Sequence, residues 1–418
     1  MSSSEQRRAA TSAKWLSIVG IGEDGVDGLG QTARRLISEA AFVFGGKRHL
    51  QLAERLIAGE KRPWPSPFSE GIEAVRDLRG RRVCVLASGD PFLHGVGATL
   101  ARHVAADEMD VVPAPSAFSL AAARLGWQLG EIETVSLHGK PVSQLRPWLH
   151  PGRRVLTLTS DADGPAAIAE LLRSIWFGQS RLTILEALGG ASERIRSTTA
   201  IEFGLSDIHP LNLVAIEVDA EKGAPIVGLA PGLPDDLFEH DGQITKREIR
   251  AATLSALAPR RGEVLWDIGA GSGSVAIEWM LLHPSLTATA IERDSDRAER
   301  IRRNAERLGV PALRVVEGLA PAALADLSAP DAIFVGGGGS RTGLMEAALA
   351  MLKPGGRLVA NAVTLEMEAV LLRLHASHGG DLIRLSIQRA EGVGAMTGWR
   401  PAMPVTQWAW SKPHGGVS

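Results

Sequence analysis

Residues 263–292, EVLWDIGAGSGSVAIEWMLLHPSLTATAIE, leave few folds open to this chain. The apolar run Val264 to Ile268 reads as a strand, since strands buried on both faces are hydrophobic without alternation. It runs into Gly269, Gly271 and Gly273, after which an apolar helical stretch leads to a second strand ending on Glu292. Strand, glycine turn, helix and parallel strand make up part of a doubly wound sheet, where ligands lie across the carboxyl ends of the strands. Glycine permits the close backbone approach that a Cβ would block. An acid about twenty residues on, at the tip of the second strand, accepts hydrogen bonds from both hydroxyls of a ribose. The chain is therefore α/β and built for a nucleotide-type ligand.

Two ligands fit that frame. The pyrophosphate of a dinucleotide calls for G-x-G-x-x-G, but here the third glycine comes one residue early and Asp267 stands two residues before the first. An acid is a poor neighbour for a pyrophosphate and a good one for the sulfonium of S-adenosyl-L-methionine. The spacing resembles motif I of class I methyltransferases. That resemblance implies a cofactor site made of Asp267, Gly269, Ala270, Gly271, Ser272, Gly273 and Glu292.

At 418 residues the chain is too long for one core and suits two domains. A formal charge of −2 gives no field for nucleic acid or an acidic membrane. The single cysteine, Cys84, excludes a disulfide within the chain and points to a reducing compartment. The polar start, residues 1–13, reads as disordered and lacks the apolar core of a signal peptide; no apolar run is long enough to span a bilayer. A soluble, cytoplasmic protein is expected.

The first half opens with WLSIVGIG, a strand entering Gly20, Gly22 and Gly25. These spell G-x-G-x-x-G, yet the glycines continue through a loop before a helix at about Thr32 to Glu39, and the next strand, AAFVFGG, ends without an acid. The pattern is rejected as a dinucleotide site. Lys47, Arg48 and His49 then open a helix, and a Pro-rich loop, RPWPSPF, precedes a charged one. The strand Arg82 to Ala87 delivers Ser88-Gly-Asp-Pro-Phe92, a rigid loop that presents carbonyls. VVPAP leads to Ser116, placed as N-cap of a helix from Ala117 to Leu125.

These segments, with SLHGKP and LEALGGASERIR, are similar to the tetrapyrrole methylase family, and most closely to its C5-methylating members in cobalamin biosynthesis. The similarity covers about residues 15–218 and keeps the family's motif order. It implies two small α/β lobes with S-adenosyl-L-methionine in the cleft between them. The implied contacts are Glu23 (where related members often carry proline), Gly89, Asp90, Pro91, His94, Ser116 and Ala117.

Residues 219–241, rich in Gly, Pro and acids, read as a linker between domains at 14–218 and 242–412. Thr245 is placed as N-cap of a helix to Leu257, with Glu248 completing a capping box. The second half resembles the decarboxylating C15-methyltransferase domains of the same pathway. That likeness adds Thr245, Gly318 and Ala320 as cofactor contacts and leaves Leu319 where an aspartate is common, so that backbone groups would read the adenine. DLIRLSIQRA and PVTQWAW are expected to close the sheet as antiparallel strands.

Together the resemblances imply a bifunctional enzyme: two different methyltransferase folds, one S-adenosyl-L-methionine in each, methylating precorrin-6B at C5 and C15 and decarboxylating its C12 acetate to give precorrin-8. Methyl transfer from a sulfonium needs alignment above all, and a ring carbon of a tetrapyrrole is already nucleophilic. No catalytic residue is assigned and no metal site is expected. Arg48 and Arg247 are candidates for substrate carboxylates, and Gly337 and Gly338, in the run Gly336 to Gly339, for close backbone approach to substrate. By analogy a homo-oligomer is expected. A nicotinamide-linked oxidoreductase lacks its fingerprint here, an RNA or protein methyltransferase would carry a basic face or an N/D-P-P-[YF] motif, and a corrinoid carrier would not need two cofactor sites.

Overall fold

The computed structural model describes residues 14–414, so the expectation for residues 1–13 lies outside the described residues. The chain divides into two compact units. One holds the chain up to Lys140 together with Pro151–Ala224; the other holds Pro141–His150 and everything from Pro225 onward.

The first unit contains two five-stranded sheets. In the first, β1 (Leu16–Ile21), β2 (Phe42–Gly45), β3 (Glu60–Pro63), β4 (Val83–Ser88) and β5 (Met109–Val112) are all parallel, in the order β3-β2-β4-β1-β5. Both faces are covered. Ile18, Val83 and Val85 enter one core while Val19, Cys84 and Leu86 enter the other. This two-sided burial is why these strands show no polar alternation. In the second sheet, β6 (Glu133–Ser136), β7 (Arg154–Leu158), β8 (Arg181–Glu186), β9 (Arg194–Thr199) and β10 (Asn212–Glu217) run in the order β6-β7-β10-β8-β9, antiparallel except for β6 and β7.

The second unit is built on seven strands: β11 (Val264–Ile268), β12 (Thr287–Glu292), β13 (Arg314–Glu317), β14 (Ala332–Val335), β15 (Arg357–Ala362), β16 (Asp381–Leu385) and β19 (Val405–Ser411). Their order is β13-β12-β11-β14-β15-β19-β16, parallel up to β15 and antiparallel at β19 and β16. The order reverses at β11, between β12 and β14. That is the switch point where the crevice of a doubly wound sheet opens. DLIRLSIQRA is not one strand: β16 stops at Leu385, and a separate hairpin, β17 (Gln388–Val393) with β18 (Met396–Pro401), stands between β16 and β19.

The stretch expected to be a linker does more than connect. Val227, Leu233, Leu237 and Phe238 are buried in the core that covers one face of the seven-stranded sheet. Single apolar residues spaced among Gly and Pro have no period, so their burial leaves no pattern in the sequence. The helix N-cap is also displaced. The helix is Arg247–Leu257 with Lys246 at the cap and no side-chain cap bond. Thr245 instead offers its carbonyl to Arg250, and Glu248 accepts from Arg389 at 2.6 Å.

Candidate functional site

In the second unit a cavity of about 560 Å³ opens over the carboxyl ends of β11, β12, β14 and β15. Gly269 has a φ of +71°, and a Cβ built there would lie 2.6 Å from the carbonyl oxygen of Gly337. Only glycine therefore allows the first turn to pass the loop after β14, and this close passage shapes the cavity floor. Glu292, 5% exposed, lines the cavity. Its Oε2 accepts from the Gly271 amide at 2.9 Å, and its Oε1 accepts from the amides of Arg293 and Asp294 at 2.9 and 3.1 Å. Three backbone donors fix the carboxylate, which has about four acceptor positions in all. It thus keeps capacity for a hydroxyl donor from a ligand.

Of the residues expected in this half, Thr245, Gly269, Ala270, Gly271, Glu292, Gly318, Ala320, Gly337 and Gly338 line the cavity. Four expected residues do not. Asp267 is 1% exposed and sits beneath the turn, with Oδ2 accepting from the amide of Ala276 at 3.0 Å and Oδ1 buried without a partner. Burial, and after it the charge of Glu292, pushes its carboxyl up to about 7. Its structural work is to satisfy an amide in the first turn of the helix Ser274–Leu281. Ser272 is buried as deeply, and its carbonyl accepts from Asn304 at 2.9 Å. Gly273 is packed against Ile301. Arg247, the first residue of the helix, is exposed and stands outside the cavity wall. The cations that do line the cavity are Lys246, Arg293, Arg297, Arg341 and Arg389.

Sequence reasoning also missed Asn361, which lines this cavity from β15. It accepts from Gln407 at 2.9 Å and donates to Thr253 at 3.0 Å. A polar residue closing the apolar run RLVANA was the available signal.

In the first unit a cavity of about 660 Å³ is lined by residues of both sheets. The carboxyl ends of β1, β2 and β4 form one wall. Gly89 has a φ of +53°, and its Cβ would lie 2.8 Å from the carbonyl oxygen of Pro115, so the loop after β4 presses directly on the P-x-P-S segment. Asp90 caps the turn by accepting from the amide of Phe92 at 2.8 Å. Ser116 accepts from the amide of Ser119 at 3.1 Å, which is the cap its sequence position predicts. Glu23, Gly89, Asp90, His94, Ser116, Ala117 and Arg48 all line the cavity; Pro91 is buried outside it, its carbonyl taken by the amide of Gly97 at 2.9 Å. Desolvation, and then Lys140, lowers the pKa of His94, favouring a neutral ring. The sequence reading did not assign His49, Ser88, His138, Lys140 or Asn212, which share this wall. His49 closes and Ser88 opens segments already singled out, KRH and SGDPF; His138 and Lys140 lie in the loop after β6 and Asn212 opens β10, so only the fold brings them here.

The family described as tetrapyrrole (corrin/porphyrin) methylases matches residues 16–203, and the precorrin methyltransferase domain matches residues 236–412. A Sinorhizobium protein named precorrin-6Y C(5,15)-methyltransferase [decarboxylating] is 63% identical over 398 residues, 95% of this chain and 96% of its own. This chain belongs to the precorrin-6Y C(5,15)-methyltransferase family. A relative of the same name from Mycobacterium tuberculosis (strain ATCC 25618 / H37Rv) is 41% identical over 94% of this chain and 99% of its own. Among solved structures, the C-terminal domain of precorrin-6Y C5,15-methyltransferase from Rhodobacter capsulatus is 52% identical, covering 44% of this chain and all of that one, with a TM-score of 0.43. Family membership accounts for the two dissimilar α/β units in one chain, each with a cavity at the carboxyl ends of its parallel strands. Among the described residues no helix is long and apolar enough to cross a membrane, and no cluster of His, Cys, Asp and Glu is arranged to hold a metal ion.

Proposed function

We infer that this chain transfers methyl groups from S-adenosyl-L-methionine to C5 and C15 of precorrin-6B and removes the carboxyl of the C12 acetate, yielding precorrin-8. The observation that carries this reading is 63% identity to a protein of that name across nearly the whole length of both chains. The geometry of the second cavity suits the cofactor: a glycine turn at Gly269 that passes close against the Gly337 backbone, and a fixed carboxylate at Glu292 with acceptor capacity left over. When bound, S-adenosyl-L-methionine supplies an electrophilic methyl on a sulfonium. In the C-terminal unit, Glu292 would accept from the ribose hydroxyls, while Gly318, Leu319 and Ala320 would border the adenine. In the N-terminal unit, Gly89, Asp90, His94, Ser116 and Ala117 would border a second molecule.

Little acid–base machinery is required for the transfer itself, since orientation can supply roughly 7–11 kcal/mol of the barrier in favourable cases. For decarboxylation, the C–CO2 bond breaks with its electron pair taken up by the protonated macrocycle. Gly337 and Gly338, at the cavity wall, would let the substrate approach the backbone closely.

Mass spectrometry of the tetrapyrrole product tests the reading. The intact chain is expected to add two methyl groups and release one CO2. Gly269→Val, which drives the glycine turn against the Gly337 carbonyl, should leave one methylation and abolish CO2 release; Gly89→Val should remove the other methylation. Titration with S-adenosylhomocysteine should give two sites per chain. An unchanged precorrin with intact cofactor binding would sink the substrate assignment. We further propose that the chain works in the cytoplasm as a homo-oligomer, which light scattering on the purified protein checks.

A further inference from the structure

Three adjacent strands of the first sheet bring four polar side chains to one place on the wall of the N-terminal cavity. Glu23 follows β1, Arg48 and His49 follow β2, and Ser88 ends β4. Arg48 Nη2 donates to Ser88 Oγ at 2.9 Å and lies 3.1 Å from His49 Nε2. His49 Nε2 is 2.8 Å from Ser88 Oγ, and Glu23 pairs with Arg48. A guanidinium can only donate, so the ring nitrogen facing it is the acceptor. The one lone pair of Nε2 is then shared between that N–H and the hydroxyl of Ser88. Ser88 is exposed to the cavity and His49 is half-buried. The arrangement is a hydroxyl whose oxygen is held by a cation and whose proton faces an unprotonated ring nitrogen.

We propose that Ser88 and His49 form the proton-acceptor pair for the N-terminal methylation, a role that rests on the methyl-transfer reading above. In that reaction the S–CH3 bond breaks with its electrons going to sulfur, and a ring π pair forms the new C–CH3 bond, leaving a cationic macrocycle. Neutrality returns when a ring C–H proton leaves and its electron pair rejoins the π system. That proton passes to Ser88 Oγ while the serine's own proton passes to His49 Nε2, and from the imidazolium to water. Arg48 and Glu23 are positioning residues that hold the hydroxyl. Burial, and then the Arg48 charge, holds the ring neutral at physiological pH, with its pKa lowered to about 4. Nε2 is therefore unprotonated when the methylated cation forms.

The test uses the full-length chain with 13C-methyl S-adenosyl-L-methionine, following the C5 methyl by NMR and S-adenosylhomocysteine by rapid quench. Ser88→Ala and His49→Asn are expected to keep the first-turnover transfer at the wild-type rate while steady-state C5 methylation falls about 100-fold or more. Deuterium at the methylated carbon should slow the variants severalfold and leave the wild type unaffected. Steady-state C5 methylation within threefold of wild type in both variants would overturn the proposal. So would loss of the first-turnover transfer itself, which would make the cluster a device for holding substrate or cofactor. If His49→Asn does not fold, Ser88→Ala, which removes one oxygen at an exposed position, decides alone. A wild-type chain that transfers no methyl to any tetrapyrrole would remove the underlying reading as well, and is told apart by that control.

Discussion

Asp267 separates two accounts of the same acid: the counterion of a sulfonium, or a buried group that serves the fold. Asp267→Asn distinguishes them. A buried carboxyl with its pKa raised from 3.8 to about 7 holds its proton more tightly folded than unfolded. The fold therefore pays nothing below about pH 4, loses stability as pH rises through that window, and is level above it. At about 1.4 kcal/mol for each pH unit, the loss is on the order of 4 kcal/mol. Asparagine cannot ionise, and its oxygen can still accept from the Ala276 amide. Urea unfolding of the intact chain at pH 4.5 and pH 8, following the transition of the C-terminal unit, should show the variant gaining several kcal/mol over wild type between the two conditions. Calorimetry should show S-adenosylmethionine and S-adenosylhomocysteine affinities changed by the same factor, since Asp267 lies outside the cavity wall. A selective loss of the sulfonium ligand would refute this reasoning and return the acid to the site. A variant with the wild-type pH dependence would show that the carboxylate is not desolvated.

Glu292→Ala removes a charged acceptor worth about 1.5–3 kcal/mol per bond, so S-adenosylhomocysteine should bind roughly 10–100-fold more weakly at the C-terminal site by calorimetry, with Glu292→Gln intermediate. Arg250 is fully buried and donates to Glu278, which is itself 2% exposed and also accepts from the amides of Gly232 and Leu233 at 2.6 and 2.9 Å. Arg250→Ala strands that carboxylate and should cost about 3–5 kcal/mol in urea unfolding, much of it recovered when Glu278 is replaced by leucine in the same chain.

What could be read from the chain alone follows from how local the physics is. The strand and glycine turn at 264–273 were legible because continuous apolar residues, glycines and a distant acid each have a separate local cause, and the three causes agree. The helix of residues 117–125 was legible to the residue, since Ser116 caps it and the αL glycine at 126 ends it. Thr245 failed as a cap because a tertiary partner outbid the local one: Arg250 takes its carbonyl, and Arg250 is in turn fixed by Glu278, 28 residues away. For Asp267 the local signal is incomplete. Its spacing from Gly269 says that it is close to the ligand turn, but not on which side of the backbone it lies. Strand alternation decides that: in β11, Leu265 enters one core, Trp266 and Ile268 the other, and Asp267 follows Leu265 to the face that meets the helix Ser274–Leu281. In the first sheet Ser88 continues the Leu86 face of β4, and that face carries it to the wall where His49 stands.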